Sequence, residues 1–292
     1  MRGPSRRTFL AAAALLATRP ARAGAVRVAT LDWALLETLL AMGIAPVAAA
    51  ELVLFRQVAV EPQVPAGVAD LGLRGMPNFE ALLHAAPDLI FNSAYYVASE
   101  PKLRLVAPVE TLSIYARDGR PFARAEDAAR RLAHATGRPD AAARLIADTR
   151  DTLERCRAVL GGWSGRPVLV INLGDARHFR VFGPDSMFGE ALARLGLANA
   201  WSEGTSYAAS APVGLEALAR FADAALVILP PVPPDAGRIL PQSAVWQALP
   251  NVRENRVYVL GAVNPFGGLP TAARFARLLA AALRQPTGAG LG

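Results

Sequence analysis

Arg74, Trp33, Tyr95, Tyr96, Tyr207 and Phe266 are the side chains in this sequence best suited to grip a ligand. Arg74 follows the apolar run 68–72, and Tyr95 and Tyr96 follow the run 88–92. The turn that leaves a parallel strand is where α/β sheets place their ligands. A fixed guanidinium suits a ligand with clustered anionic oxygens, because its planar fork donates to two of them at once. It suits a structural ion pair with a neighbouring acid equally well, and spacing does not choose between the two. The tyrosines offer a hydroxyl and a ring to a cleft, or a ring to a core. Trp33, Tyr207, Trp246 and Phe266 carry the same ambiguity, with Trp246, on an amphipathic stretch, reading as packing.

The groups that turn a substrate over are missing. The chain has no Gly-x-Ser-x-Gly, no phosphate-binding loop and no dinucleotide fingerprint. His84, His134 and His178 are scattered without metal-ligand spacing, and no pair of carboxylates stands out for acid–base work. Basic and aromatic groups without a nucleophile or a metal cluster are binding chemistry. No catalytic residue, resident metal or cofactor is expected.

Two similar halves must position these residues. A helix is predicted over 139–161, with a proline at its start, a stripe of Ala142, Leu145, Ile146, Thr149, Leu153, Cys156 and Leu160, and Gly161-Gly162 as its stop. At 1.5 Å per residue it would be roughly 34 Å long. On either side of it the sequence repeats. Residues 40–45 and 193–198 each end an amphipathic helix at a glycine, Gly43 and Gly196. Residues 78–83 and 214–219 each form a short helix that feeds a buried strand, and they place Glu80 and Glu216 in corresponding positions. Such acids either favour the positive end of a helix or face a basic partner. Strands are predicted over 26–30, 47–50, 68–72, 88–92 and 111–114 in the first half. The second half is predicted to have strands over 167–172, 226–229 and 256–260, with a hairpin-like excursion over 177–184. The extra length of the first half is expected as a loop over 51–67. Two α/β lobes joined by one long helix place a ligand in the cleft between them.

The N-terminus changes the meaning of the charge. Residues 5–10 form a twin-arginine pattern, a modest apolar stretch follows, and Ala21-Arg22-Ala23 is a small-x-small cleavage site. An exported, periplasmic protein without a lipid anchor is expected. The leader holds five arginines and no acid, so the formal +7 of the whole chain becomes 7 − 5 = +2 after cleavage. A nucleic-acid partner therefore loses its support. Cys156 is the only cysteine and excludes an intrachain disulfide.

Several ordered blocks resemble the periplasmic ferric-hydroxamate siderophore-binding protein family, within the wider group that takes siderophores and vitamin B12. They are Glu61-Pro62 with Asp70-Leu71-Gly72-Leu73-Arg74 and Pro77-Asn78; Arg177-His178 with Val181-Phe182-Gly183-Pro184, Ser186 and Phe188; Asn199-Ala200-Trp201; and Trp246-Gln247-Ala248 with Pro250, Val252-Arg253 and Arg256. The resemblance implies the class III periplasmic binding protein fold, two Rossmann-like α/β lobes joined by a single long helix. It divides the chain into a leader 1–23, a first lobe 24–138, the connector 139–161, a second lobe 162–285 and a tail 286–292. It implies a monomer that delivers a ferric siderophore to an inner-membrane ABC permease. In it Arg74 looks like the arginine that bonds iron-bound hydroxamate oxygens, Tyr96 like its partner, and Glu80 and Glu216 like the permease-docking acids. Aromatic cleft positions of the family appear here as Ala59, Asn92, Ala208 and Asn264, so a less aromatic cleft is expected. A binder of cobalamin or haem, and an exported α/β enzyme, are the rival readings.

Overall fold

A computed structural model describes residues 25–163, 165–205, 212–285 and 291. The expected leader 1–23, Tyr207, Ala208 and all of the expected tail but residue 291 lie outside the described residues.

The first sheet holds β1 (Val28–Thr30), β2 (Ala48–Ala49), β3 (Ala69–Asp70), β4 (Leu89–Asn92) and β5 (Val109–Thr111), in the order β3-β2-β1-β4-β5. All its pairings are parallel. The second holds β6 (Val168–Leu173), β7 (His178–Val181), β8 (Val213–Gly214), β9 (Ala225–Leu229) and β10 (Val257–Val259), in the order β10-β9-β6-β7-β8. There β7 runs antiparallel to both neighbours, which is the excursion expected at 177–184. The central strands β6 and β9 are almost continuously apolar, the pattern of strands covered on both faces.

The repeat is visible in the backbone. Helix Trp33–Ala41 is capped by Asp32, and helix Met187–Arg194 by Ser186. Each ends at a glycine in the left-handed region, Gly43 at φ +71° and Gly196 at φ +76°. In both, the glycine amide reaches back three residues and the next amide five: Ile44 to Leu39 O and Leu197 to Leu192 O, each at 2.9 Å. This double closure needs positive φ, which glycine adopts without a Cβ penalty.

The helix between the lobes runs Pro139–Val159 and buries Ala141, Ala142, Ile146, Thr149, Thr152, Leu153 and Cys156. It packs against helix Pro121–Ala135 of the first lobe and helix Leu269–Leu283 of the second. One apolar core passes through all three, joining Leu35 and Phe122 to Phe188 and Phe275. Two lobes on a shared rod are thus welded along the rod's length.

Two expectations of the sequence need correction. The stretch 51–67 is not all loop, because helix Leu52–Val58 forms within it. Leu52 and Phe55, one turn apart, bury against Trp33 and Leu36, and that burial outweighs the proline-rich surroundings. The last strand of the first lobe is Val109–Thr111, ahead of the expected 111–114; Leu112 and Ile114 leave the ladder for the shared core. The short helices expected at Glu80 and Glu216 both form, the first as an α-helix, Phe79–Ala85, and the second as a 3₁₀ helix, Leu215–Phe221.

Candidate functional site

A cleft of about 330 Å³ opens between the lobes, and every strand of the first sheet feeds it from its carboxyl end. Asp32 and Trp33 follow β1, Glu51 follows β2, Arg74 and Gly75 follow β3, Tyr95 and Tyr96 follow β4, and Tyr115 follows β5. Phe266, after β10, is the lining residue that the described part of the second lobe contributes. Parallel strands end on one side of a sheet, so their outgoing turns converge on a single patch.

Arg74 is the centre of this patch. Its Nε donates to Glu51 Oε2 at 2.5 Å, and its Cζ stands 3.8 Å from the centroid of the Trp33 ring. The indole is itself fixed: its N–H donates to Ala50 O at 3.1 Å, and Phe55 meets its face edge-on at 5.5 Å. A guanidinium stacked on one side and bonded at Nε has few rotamers left, so its remaining donors are held in place. Arg74 lies close enough to the Tyr96 hydroxyl to offset part of the upward push that burial gives this phenol. Arg74 therefore takes both roles the sequence left open. It is an ion-pair partner of Glu51 and a lining group of the cleft.

Glu51 reaches this position through its backbone. It sits in the left-handed region (φ 58°, ψ 43°) just before helix Leu52–Val58, and its amide donates to Gly72 O at 2.8 Å. The Asp32 carboxylate accepts from the amides of Ala34 and Leu35 at 2.8 and 3.1 Å. Burial raises its pKa, and the Ser93 side chain, the capping amides and the nearby Arg74 pull it back down.

Tyr95 is exposed at the rim and inclined at 51° to Tyr96, with the ring centroids 6.5 Å apart. Tyr115 is buried, donates its hydroxyl to Gly267 O at 2.6 Å, and meets Phe266 edge-on at 6.2 Å. Burial, and then the negative field of Glu37, push its phenol well above the ordinary range. Trp246 is core, as expected.

The non-aromatic positions have work of their own. The Asn92 amide donates to Tyr96 O at 3.3 Å and steadies the tyrosine turn. Asn264 accepts from the Phe266 amide at 3.1 Å and donates to Glu37, so it aims Phe266 from beneath. Ala59 fills the cluster under Trp33. Asp32, Glu51 and Tyr115 were missed as site residues in the sequence. The rule that found Arg74, a residue one to four positions past a strand, finds all three when applied to β1, β2 and β5.

Glu80 and Glu216 are both exposed, one on each lobe. Among the described residues, no group of three or more His, Cys, Asp or Glu is placed to hold a metal ion, and no helix is long and apolar enough to cross a membrane.

Comparison with known proteins identifies the fold and the family. The chain is 32% identical over 254 residues to the iron(3+)-hydroxamate-binding protein FhuD of Escherichia coli K12, covering 87% of this chain and 85% of that one. It superposes on FhuD of Vibrio cholerae, solved with Fe3+-Desferal bound, with a TM-score of 0.85 and 25% identity, over 89% of this chain and 98% of that one. FeuA of Bacillus subtilis, solved with ferri-bacillibactin, shares the fold at a TM-score of 0.70 and 19% identity, over 88% and 92% of the two chains. The family described as periplasmic binding protein matches residues 28–263, and with that match this chain belongs to it.

Proposed function

We propose that the chain is the substrate-binding component of an ABC importer, and that it carries a ferric siderophore of the hydroxamate type in the cleft between its lobes. The observation that carries this reading is Arg74, held between Glu51 and the Trp33 face and surrounded by tyrosines. Hydroxamate oxygens bound to iron keep partial negative charge and lone pairs in the plane of the chelate. A fixed guanidinium donates to them without competing for the metal. Tyr96 adds a hydroxyl, and Tyr95 and Phe266 add apolar surface for the siderophore backbone. The 32% identity to a protein named for binding iron(3+)-hydroxamate supports the same ligand class.

The remaining assignments belong to the same reading. Residues 1–23 are a twin-arginine leader, and the mature protein works as a periplasmic monomer. Glu80 and Glu216 dock, one per lobe, on basic residues of the permease. The lobes bind and do not catalyse.

Tryptophan fluorescence tests the reading directly, because Trp33 lies in the cleft wall. Ferrichrome and ferrioxamine B are expected to quench the mature protein saturably, and a ferric catecholate and cobalamin are expected not to. Quenching by neither hydroxamate complex overturns the proposal.

A further inference from the structure

The charges around the cleft do not match the simplest picture of an arginine waiting for an anion. The acids and bases that line it are Arg74, Glu51 and Asp32, a formal sum of 1 − 2 = −1. The segment 206–211 adds no acid or base to this sum beyond the phenol of Tyr207. The positive group is already engaged at 2.5 Å by Glu51. Glu51 and Arg74 keep 20% and 26% of their side-chain surface, so the pair faces the cavity and its field acts on whatever occupies it. A lone arginine would attract anionic complexes. An arginine with its counter-charge built in offers hydrogen-bond donors with almost no net attraction for negative charge, and Asp32 tips the balance further.

A ferric ion bound by three hydroxamates is neutral at its core, so the charge of the whole complex is decided at its periphery. Resting on the reading above, we propose that Glu51 sets the charge class of the ligand. By neutralising Arg74 beside Asp32, it makes this cleft a receptor for neutral and, above all, cationic ferric trishydroxamates, such as those that carry a free ammonium group. Glu51 is thus both the positioning partner of Arg74 and a specificity determinant. Helix Leu52–Val58, which begins at Glu51, is the element that delivers it.

The test keeps the iron core constant and changes only the periphery. Ferrioxamine B carries one ammonium; its N-acetyl derivative is neutral, and its N-succinyl derivative carries one carboxylate. Affinity of the mature protein is expected to fall in that order by about three- to tenfold per unit of charge, and the spread should shrink in high salt. Glu51→Gln, nearly isosteric, is expected to flatten or invert the order while leaving the neutral complex measurable. Asp32→Asn should flatten it in the same direction and serves as the second variant should Glu51→Gln fold poorly. Equal affinities of the wild type for the three complexes, or an unchanged order in a folded variant, overturn the inference and leave the proposed function standing. Binding of none of the three by the wild type removes the proposed function and this inference with it.

Discussion

Gly268 donates its backbone amide to Glu37 Oε1 at 2.5 Å, across 231 positions of sequence and from one lobe to the other. Glu37 sits fully buried on helix Trp33–Ala41. The Thr271 amide also reaches Oε1, at 3.2 Å, and the Asn264 amide group and Thr271 hydroxyl reach Oε2, at 3.1 and 3.2 Å. The backbone amides and Asn264 can only donate, which favours a carboxylate. Burial opposes it and wins, raising the pKa from 4.5 to about 7. The first lobe is therefore fastened to the start of helix Leu269–Leu283 by a group that titrates near neutrality.

Stability is expected to fall between pH 5 and pH 8. The folded protein holds the Glu37 proton more tightly than the unfolded chain does. That contribution is fully present below pH 4.5 and is lost as pH rises through about 7. A gap of this size is worth on the order of 3 kcal/mol, or roughly 5 °C in Tm. Asp118, Asp175 and Glu100, at the surface beside basic partners, are lowered, so what they contribute is lost only in acid below this window. Thermal melts across pH 5–8 check the slope, and Glu37→Gln should remove the larger part of it. A flat profile in the wild type would count against the assignment.

Tyr115→Phe removes the hydroxyl that bonds Gly267 O at 2.6 Å. A buried carbonyl left without its donor costs about 1–3 kcal/mol. The expected result is a lower Tm and faster amide exchange over 264–271. Unchanged exchange there would mean that the bond does not help to hold the lobes together.

Arg74→Ala should weaken a ferric hydroxamate by about tenfold to a hundredfold, the loss of a charge-assisted hydrogen bond. Glu51, still partly exposed, regains water, so the Tm should move by no more than about 2 °C. Calorimetric titration beside a thermal melt separates the two effects. An unchanged affinity would leave Arg74 as the partner of Glu51 alone.

Glu80→Arg or Glu216→Arg should leave ligand affinity intact, because both residues are exposed on the lobe surfaces and neither lines the cleft. Uptake of the iron complex by cells that depend on this protein should stop. Normal uptake with either variant removes the docking role from that residue.

The fold was legible because its signals are local. Two helix-ending glycines, Gly43 and Gly196, and the apolar stripe of the connecting helix are each written within a few turns of chain. Arg74 and Tyr96 were legible for the same reason, as a basic and an aromatic residue four positions past a strand, while Phe266 stood out only as an aromatic in the loop after β10. Glu51 was hidden because its meaning depends on Arg74, 23 residues away, and on a left-handed turn that no propensity announces. Glu37 was hidden more deeply. It occupies an apolar helix like a misplaced surface residue, and the donors that make it tolerable arrive from the far end of the chain. Asn264 read as a lost aromatic until its bonds to Glu37 and Phe266 placed it under the cleft.

Because each parallel strand of the first lobe ends in its own turn, the cleft wall is a mosaic of tiles, three of which interlock. Trp33, Glu51, Arg74, Tyr96 and Tyr115 follow five different strands, with Arg74 bonded to Glu51 and stacked on Trp33. Cargo can therefore be retuned at the wall while the sheet that carries it keeps its register.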